Sequence, residues 1–464
     1  MSLLRKKDIA AMLANSSNAA GLEKTLGVID LFFLGIGALV GTGIFVLIGT
    51  GAVIAGPALS TSFIVAGIAC AFVALSYAEF SSSMPVTGSL YTYCYATLGE
   101  IVAWMIGWIL TLEYGVAVSA VAVGWSGYFQ SLAGQLGWIL PKALTAAPGS
   151  LEGVHTIMNV PALAIVLAIT GLLCIGIKES VRINNVMVIL KVGVILLVII
   201  VGAFYVRPSN WHPYIPHGIS SISAAAAIIF FSFIGFDAVT AAAEEVKNPQ
   251  RNLPIGIIGS LAICVLLYFL IALVMTGMVP YEKFIGVDNP ISMVFHSINQ
   301  NWVAAVVDIS AIFGMLTVIL VMTYTQARLI FAMARDGLLP QFFSHVHSKS
   351  ATPIRATLFT GIVFGLLAAL VPLNELAELV NIGALTAFGA VSFAVIVLRR
   401  TFPDLKRPFR CPGMPYIPLA AFCACLFLML QLSLVTWISF IMWIAVGLII
   451  YFSYSKYHSK LRNQ

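Results

Sequence analysis

Two long apolar runs each carry an interruption near the middle, and lipid leaves little freedom in how such a run folds. One contains Gly35-Ile-Gly-Ala-Leu-Val-Gly-Thr-Gly-Ile-Phe45 and the other Phe230-Phe-Ser-Phe-Ile-Gly-Phe-Asp237. Glycine disfavours a helix by about 1 kcal/mol per position and readily takes non-helical dihedrals, so both helices are predicted to break. A break strands N–H and C=O groups, which is tolerated at membrane depth only where they line a cavity or are buried in protein. Interrupted spans in corresponding halves of a polytopic chain therefore point to a small-molecule site near the midplane. Glycines also let neighbouring helices approach closely, but Gly41-Thr42-Gly43 adds a polar side chain flanked by two bare N–H groups at one depth, which packing alone does not ask for.

Composition agrees with a membrane setting. The chain is 60% hydrophobic and 9% charged, against about a quarter charged in a soluble domain. Apolar stretches of about 20 residues, enough to cross a core of about 30 Å, fall at roughly 27–52, 57–81, 100–131, 160–177, 183–206, 221–243, 255–278, 303–333, 355–372, 377–398, 415–435 and 437–454. Of the 24 lysines and arginines, only Lys142, Arg207 and Lys283 then lie on outer loops and Lys191 inside a span, with the remainder on the inner side. That asymmetry places both termini in the cytoplasm. The net charge of +6 is thus a topology signal and no nucleic-acid footprint. Residues 1–26 offer no continuous apolar core or cleavage site and are expected to form a short amphipathic helix on the inner leaflet. The cysteines lack paired loop spacing and read as small packing residues.

Five charged positions stand out. Glu79, at the inner end of the second span before a Ser/Pro/Gly loop, reads as an interface or inner-gate residue. Glu113 lies well inside the third span, where a carboxylate costs about 2.5–3.5 kcal/mol on insertion scales, so it is expected to face the bundle interior. Lys191 lies eight residues beyond Ile183, roughly 12 Å into the core at about 1.5 Å per residue. Full snorkelling from that depth is strained. An amine there is usually functional, since a lysine taken from water gives up its proton more readily, although pairing with a carboxylate for structure alone is the plainer reading. Glu244 and Glu245 are expected to meet basic inner loops as a salt-bridge network. Residues 290–298 can form a short lid helix, and residues 325–340 carry the cationic and glycine signs of a helix C-terminus. A basic, proline-punctuated loop near residue 400 separates a ten-span core from two further helices. The expected divisions are 1–26, a first five-helix repeat over 27–206, a second and inverted repeat over 207–400, and 401–464 with the two added helices. An odd number of spans per half inverts one half against the other.

Two broken helices present bare N–H groups at half-helix N-termini, which suit a carboxylate, and bare carbonyls at half-helix C-termini, which suit an ammonium. A zwitterionic α-amino acid offers both. Leu39, Val40, Gly41, Thr42 and Gly43 on one span and Phe231, Ser232 and Ile234 on the other are the candidate binding residues. Gly41, Thr42 and Gly43 would take the carboxylate, and the carbonyls of Leu39, Phe231 and Ile234 the amine.

The two glycine-bearing segments, the Glu244-Glu245-Val-Lys-Asn-Pro249 tail, Lys191 and Ala334-Arg-Asp-Gly-Leu-Leu-Pro340 resemble the amino acid/polyamine/organocation (APC) superfamily over nearly the whole chain, and most of all its bacterial branch similar to cationic amino acid transporters. The resemblance implies an all-α integral membrane protein of 12 transmembrane helices, with a LeuT-like 5+5 inverted repeat plus two C-terminal helices. It implies proton coupling, with Lys191 where sodium-driven relatives hold an ion, and Phe231 as the aromatic gate. Met322 stands where a substrate side chain would point. Bulky and neutral, it favours neutral substrates, whereas Glu113 would favour arginine or lysine if it lines the pocket.

The expected function is secondary active, proton-coupled import of a neutral, small or branched-chain L-amino acid by alternating access. A cationic amino acid transporter, an exchanger and a non-transporting sensor stay open, the last weakened because no loop is long enough for an output domain. No His/Asp/Glu cluster of metal-ligand spacing and no Ser/His pair suggests an enzyme. Expected partners are the amino acid and the bilayer of the plasma membrane, with no nucleic acid, no metal and no cofactor beyond a proton gradient, in a monomer or weak homo-oligomer.

Overall fold

The computed structural model describes residues 5–6, 26–84, 89–150, 155–176, 181–241, 243, 246–347 and 352–460. Among these the chain is helical, with one isolated β-bridge and no strand. The first predicted span is three pieces, α1 (Val28–Leu39), α2 (Thr42–Phe45) and α3 (Leu47–Ala55), with Val40 extended at φ −81°, ψ 96° between the first two. Then come α4 (Leu59–Ser83), α5 (Ser89–Thr97), α6 (Glu100–Gln135), α7 (Val160–Ile175) and α8 (Val181–Ala203). The second interrupted span is α9 (Ser220–Ile229), a tight 3₁₀ turn over Phe230–Phe233, a non-helical stretch through Gly235 at φ 114°, and α10 (Ala238–Ala241). Next are α11 (Pro249–Met278), α12 (Pro290–Ser297), α13 (Asn301–Arg335), α14 (Ile354–Leu370), α15 (Leu373–Thr401), α16 (Tyr416–Met429), α17 (Leu434–Ile450) and, after a π-helical turn, α18 (Lys456–His458).

Seven helical stretches among the described residues are long and apolar enough to cross a membrane, and Val28–Leu39, Val160–Ile175, Ser220–Phe233, Ile354–Leu370 and Tyr416–Met429 are shorter apolar helices. Outward faces are apolar too: Ile438, Ile441, Val446 and Ile449 of α17 are exposed, a contiguous surface that water would not tolerate and lipid does. The seven cysteines are free, and Cys70, Cys94, Cys264, Cys411 and Cys425 are buried as packing residues.

Some boundaries differ from expectation. Helix α11 begins at Pro249, not near 255, because proline is well placed at the first helical position, where its missing N–H is no loss; Pro254 is then carried inside the helix. At 36 and 35 residues, α6 and α13 are about 54 Å long and project beyond a core of about 30 Å. The short α12 forms as the 290–298 segment suggested, while α5 carried no apolar signal. Helix α13 ends in the expected glycine cap: Gly337 takes φ 84°, Leu338 N–H donates to Met333 O at 2.9 Å and Gly337 N–H to Ala334 O at 3.0 Å, a Schellman motif. The amphipathic helix expected in residues 1–26 and the network expected of Glu244 and Glu245 lie outside the described residues, save for 5, 6 and 26.

Packing separates two groups of helices. Helices α1, α3, α4, α9 and α11 pack on one another, and α6, α7, α13 and α14 form a second group; α8 lies against α1 and α13, and α15 against α4 and α6. The short α2 touches α6, so the first interruption sits at the seam between the groups. At one end of the molecule the two interrupted spans are tied: Leu26 and Val246 form the parallel bridge, and Lys247 N–H donates to Leu26 O at 2.9 Å.

Candidate functional site

The two interruptions cross in contact, and glycine is what permits it. A Cβ built on Gly43 would lie 2.4 Å from the Ser232 Cα, a backbone atom that cannot swing aside, and one on Gly235 would lie 3.1 Å from both the Cβ and the carbonyl oxygen of Ala38. Gly235 also needs its positive φ, which residues with a Cβ rarely adopt.

Breaking a helix frees carbonyls, and each needs a partner in a dry interior. Tyr268 of α11 donates its hydroxyl to Leu39 O at 2.8 Å, Tyr128 of α6 to Phe45 O at 2.6 Å, and the Asn381 amide of α15 to Ala227 O and Ile228 O at 2.8 and 2.9 Å. Lys191, 1% exposed, donates Nζ to Gly37 O at 3.0 Å, so the amine stays in the interior as its depth implied. On the donor side, the helical ladder of α2 starts with Ile44 and Phe45 N–H bonded to Gly41 O. The N–H groups of Gly41, Thr42 and Gly43 precede that ladder, as at any helix start. The Thr42 hydroxyl donates to Met315 Sδ at 3.2 Å, and the buried Ser232 Oγ has no partner among the described residues.

A cavity opens where these groups meet. Its walls include seven of the residues singled out from the sequence: Leu39, Gly41, Thr42 and Gly43 of the first interruption, Phe231 and Ile234 of the second, and Met322 of α13. Ala38, Ala117, Val121 and Val318 complete the lining and were not expected. Helical spacing would have found three of them, since Ala117 and Val121 follow Glu113 by one and two turns on α6 and Val318 precedes Met322 by one turn on α13. The free volume is about 20 Å³, room for about one water, so a larger guest requires lining groups to move. Phe231 is buried and sits on the 3₁₀ turn at the edge of this space.

Val40, Ser232 and Glu113 do not line it. Val40 is buried beside its neighbours, and Ser232 is turned against Gly43. Glu113 is one turn nearer the start of α6 than Ala117. It is 0% exposed, close to Gly383 of α15, and neither carboxyl oxygen has a hydrogen-bond partner among the described residues.

Glu79, the expected interface residue, is fully buried and heavily engaged. Arg399 of α15 donates Nε and Nη2 to its two oxygens at 2.8 and 2.6 Å, the Cys411 N–H donates at 2.7 Å, and Arg407 Nε stands 3.6 Å away. Burial first, then the Glu79 charge, pushes the Cys411 thiol up to about 11, with Arg399 pulling the other way. This cluster joins α4 to the segment between α15 and α16, and none of its residues lines the cavity. Among the described residues no group of three or more His, Cys, Asp or Glu side chains is placed to hold a metal.

The family model described as amino acid permease matches residues 26–455. The chain is 58% identical over 460 residues to the branched-chain amino acid permease BcaP of Bacillus subtilis (strain 168), covering 99% of each chain. It is 51% identical over 461 residues, with the same coverage, to a methylthioribose transporter of that organism. It is 39% identical over 413 residues to the vacuolar cationic amino acid transporter 4 of Arabidopsis thaliana, covering 87% of this chain and 68% of that one.

Proposed function

Since the chain belongs to the amino acid permease family, we propose that it imports neutral, branched-chain L-amino acids across the plasma membrane by proton-coupled alternating access. The observation that carries this reading is the cavity between the two interruptions. The N–H groups of Gly41–Gly43, which precede the helical ladder of α2, are assigned the carboxylate, carbonyls of the broken spans the amine, and Ala117, Val121, Val318 and Met322 an apolar wall for the side chain. No acidic residue is in that lining, so nothing there compensates a buried guanidinium or ammonium tail; this argues against arginine and lysine. The similarity to a branched-chain permease points the same way. Phe231 closes the site, and Lys191 on Gly37 O links the protonation of one amine to the position of α1. No cofactor enters; the proton gradient drives accumulation.

The architecture in this reading is twelve spans, as a 5+5 inverted repeat over 27–206 and 207–400 with two helices added in 401–464. Corresponding helices pack in pairs, α4 on α11, α6 on α13 and α7 on α14, which supports the pseudo-symmetry. The lysine and arginine distribution supports cytoplasmic termini. In this reading the transporting unit is a monomer or a weak homo-oligomer.

The test is uptake into proteoliposomes with an inward proton gradient. Labelled leucine is expected to accumulate, with unlabelled isoleucine and valine competing and arginine and methylthioribose not. Lys191→Ala is expected to abolish accumulation. Equal uptake with and without the gradient overturns the coupling, and displacement by arginine or methylthioribose overturns the substrate class.

A further inference from the structure

The Lys191 side chain reaches Gly37 O through a gap on α13 that only glycine leaves open. A Cβ built on Gly314 would lie 2.9 Å from Lys191 Cε, 3.3 Å from Cγ and 3.5 Å from Cδ. The helix that carries the lysine is itself held close to α1. Helix α8 is pressed onto α1 at Gly37, where a Cβ would meet Val188 Cγ2 at 2.8 Å and Asn184 Oδ1 at 3.0 Å. The aliphatic stem therefore runs over the bare backbone of Gly314 and ends on α1, in the 3.0 Å bond to Gly37 O.

We propose that Gly314 is a positioning residue for the Lys191 ammonium, and that coupling of transport to its driving gradient requires the absence of a side chain at this point of α13. The proposal rests on the reading of Lys191 as the coupling group. An added methyl forces Cε back by about 0.6–1.1 Å to reach ordinary contact distance. That displacement is expected to weaken the 3.0 Å bond to Gly37 O and, with it, the link between the amine's protonation and α1. The substrate cavity is untouched, because Val318 one turn later, and not Gly314, lines it.

The experiment compares wild type, Gly314→Ala, Lys191→Ala and the double variant in proteoliposomes, with Gly193→Ala, which has open space around it on α8, as the control. Gradient-driven leucine accumulation by Gly314→Ala is expected to fall at least about tenfold, within the ~100-fold that a misplacement of about 1 Å can produce in a preorganised site. Leucine counterflow without a gradient is expected to stay within about twofold of wild type, as is Gly193→Ala in both assays, the scatter of substitutions that disturb no partner. Thermal unfolding separates overlap from general damage: Gly314→Ala lowers Tm in the presence of Lys191, and Lys191→Ala in the same chain restores it. Wild-type-like accumulation by Gly314→Ala overturns the proposal. So does an equal loss of accumulation and counterflow, or a Tm drop that persists without the lysine side chain. Gradient-independent uptake by the wild type removes the coupling reading instead, and the Tm comparison then decides alone whether Gly314 seats the amine.

Discussion

A single hydroxyl can stand in for a turn of helix. Tyr268 closes the carbonyl that the break leaves open at Leu39, and a carbonyl has a second lone pair to spare for a ligand. Tyr268→Phe leaves Leu39 O without its protein partner, and about 1–3 kcal/mol of stability is expected to go with it, read as a lower Tm in detergent together with weaker leucine uptake. Ala117 makes the opposite point. With about 20 Å³ free, the three extra carbons of Ala117→Leu fill the cavity, so leucine no longer raises Tm. Wild type, at a ligand concentration of 100 times Kd, gains about 2.7 kcal/mol. At this scale the sequence was legible where a residue type is out of place in an apolar run. Lys191, Thr42 and the glycines announce themselves, and so does Met322 once the resemblance is in hand. Tyr268, Tyr128 and Asn381 do not, because nothing local says which distant carbonyl they serve, and Ala117 and Val121 show only through their helical spacing from Glu113. Glu113 shows the limit of the argument from cost: depth alone said that it faces inward, and it does, but a turn away from the cavity.

Helices carry their own signals unevenly. Both interruptions and the capped end of α13 were legible, because glycine and cationic caps act locally, whereas the start of α11 was not, since proline marks a helix start as readily as a loop. The tie between α4 and the segment after α15 lies beyond any local signal, although Glu79 drew notice as a carboxylate at the end of a span. Glu79→Gln removes one partner of a buried pair, which is expected to lower stability by about 3 kcal/mol. Cys411 reports the change. Its thiol, pushed up to about 11 by burial and then by Glu79, is thiolate in only about one molecule in a thousand at pH 8, so in a chain retaining this cysteine alone maleimide labels it slowly. In Glu79→Gln one raising cause is gone and the segment loosens, and labelling is expected to accelerate at least about tenfold. An unchanged rate means that the tie does not hold this segment closed.

Across the whole molecule, the proposed alternating access has the group containing α1, α3, α4, α9 and α11 moving against the group built on α6 and α13. Thr50 of α3 and Asn374 of α15 meet at 3.2 Å on the surface, and Thr50 lies at the opposite end of the first interrupted span from Leu26. Cysteines at these two positions, bridged by a short bifunctional thiol reagent in a chain cleared of its other cysteines, are expected to stop leucine uptake; a reducible bridge restores it on reduction. Continued uptake by the bridged protein would mean that α3 and α15 keep their spacing throughout the cycle. The bridge at Leu26 bears on the same cycle. Because Leu26 O accepts from Lys247 N–H, the start of the first interrupted span and the end of the second are joined by main-chain atoms that no side-chain substitution removes. In the proposed transport cycle, moving one of these ends without the other breaks that main-chain bond, so the two are expected to travel together as a yoked pair.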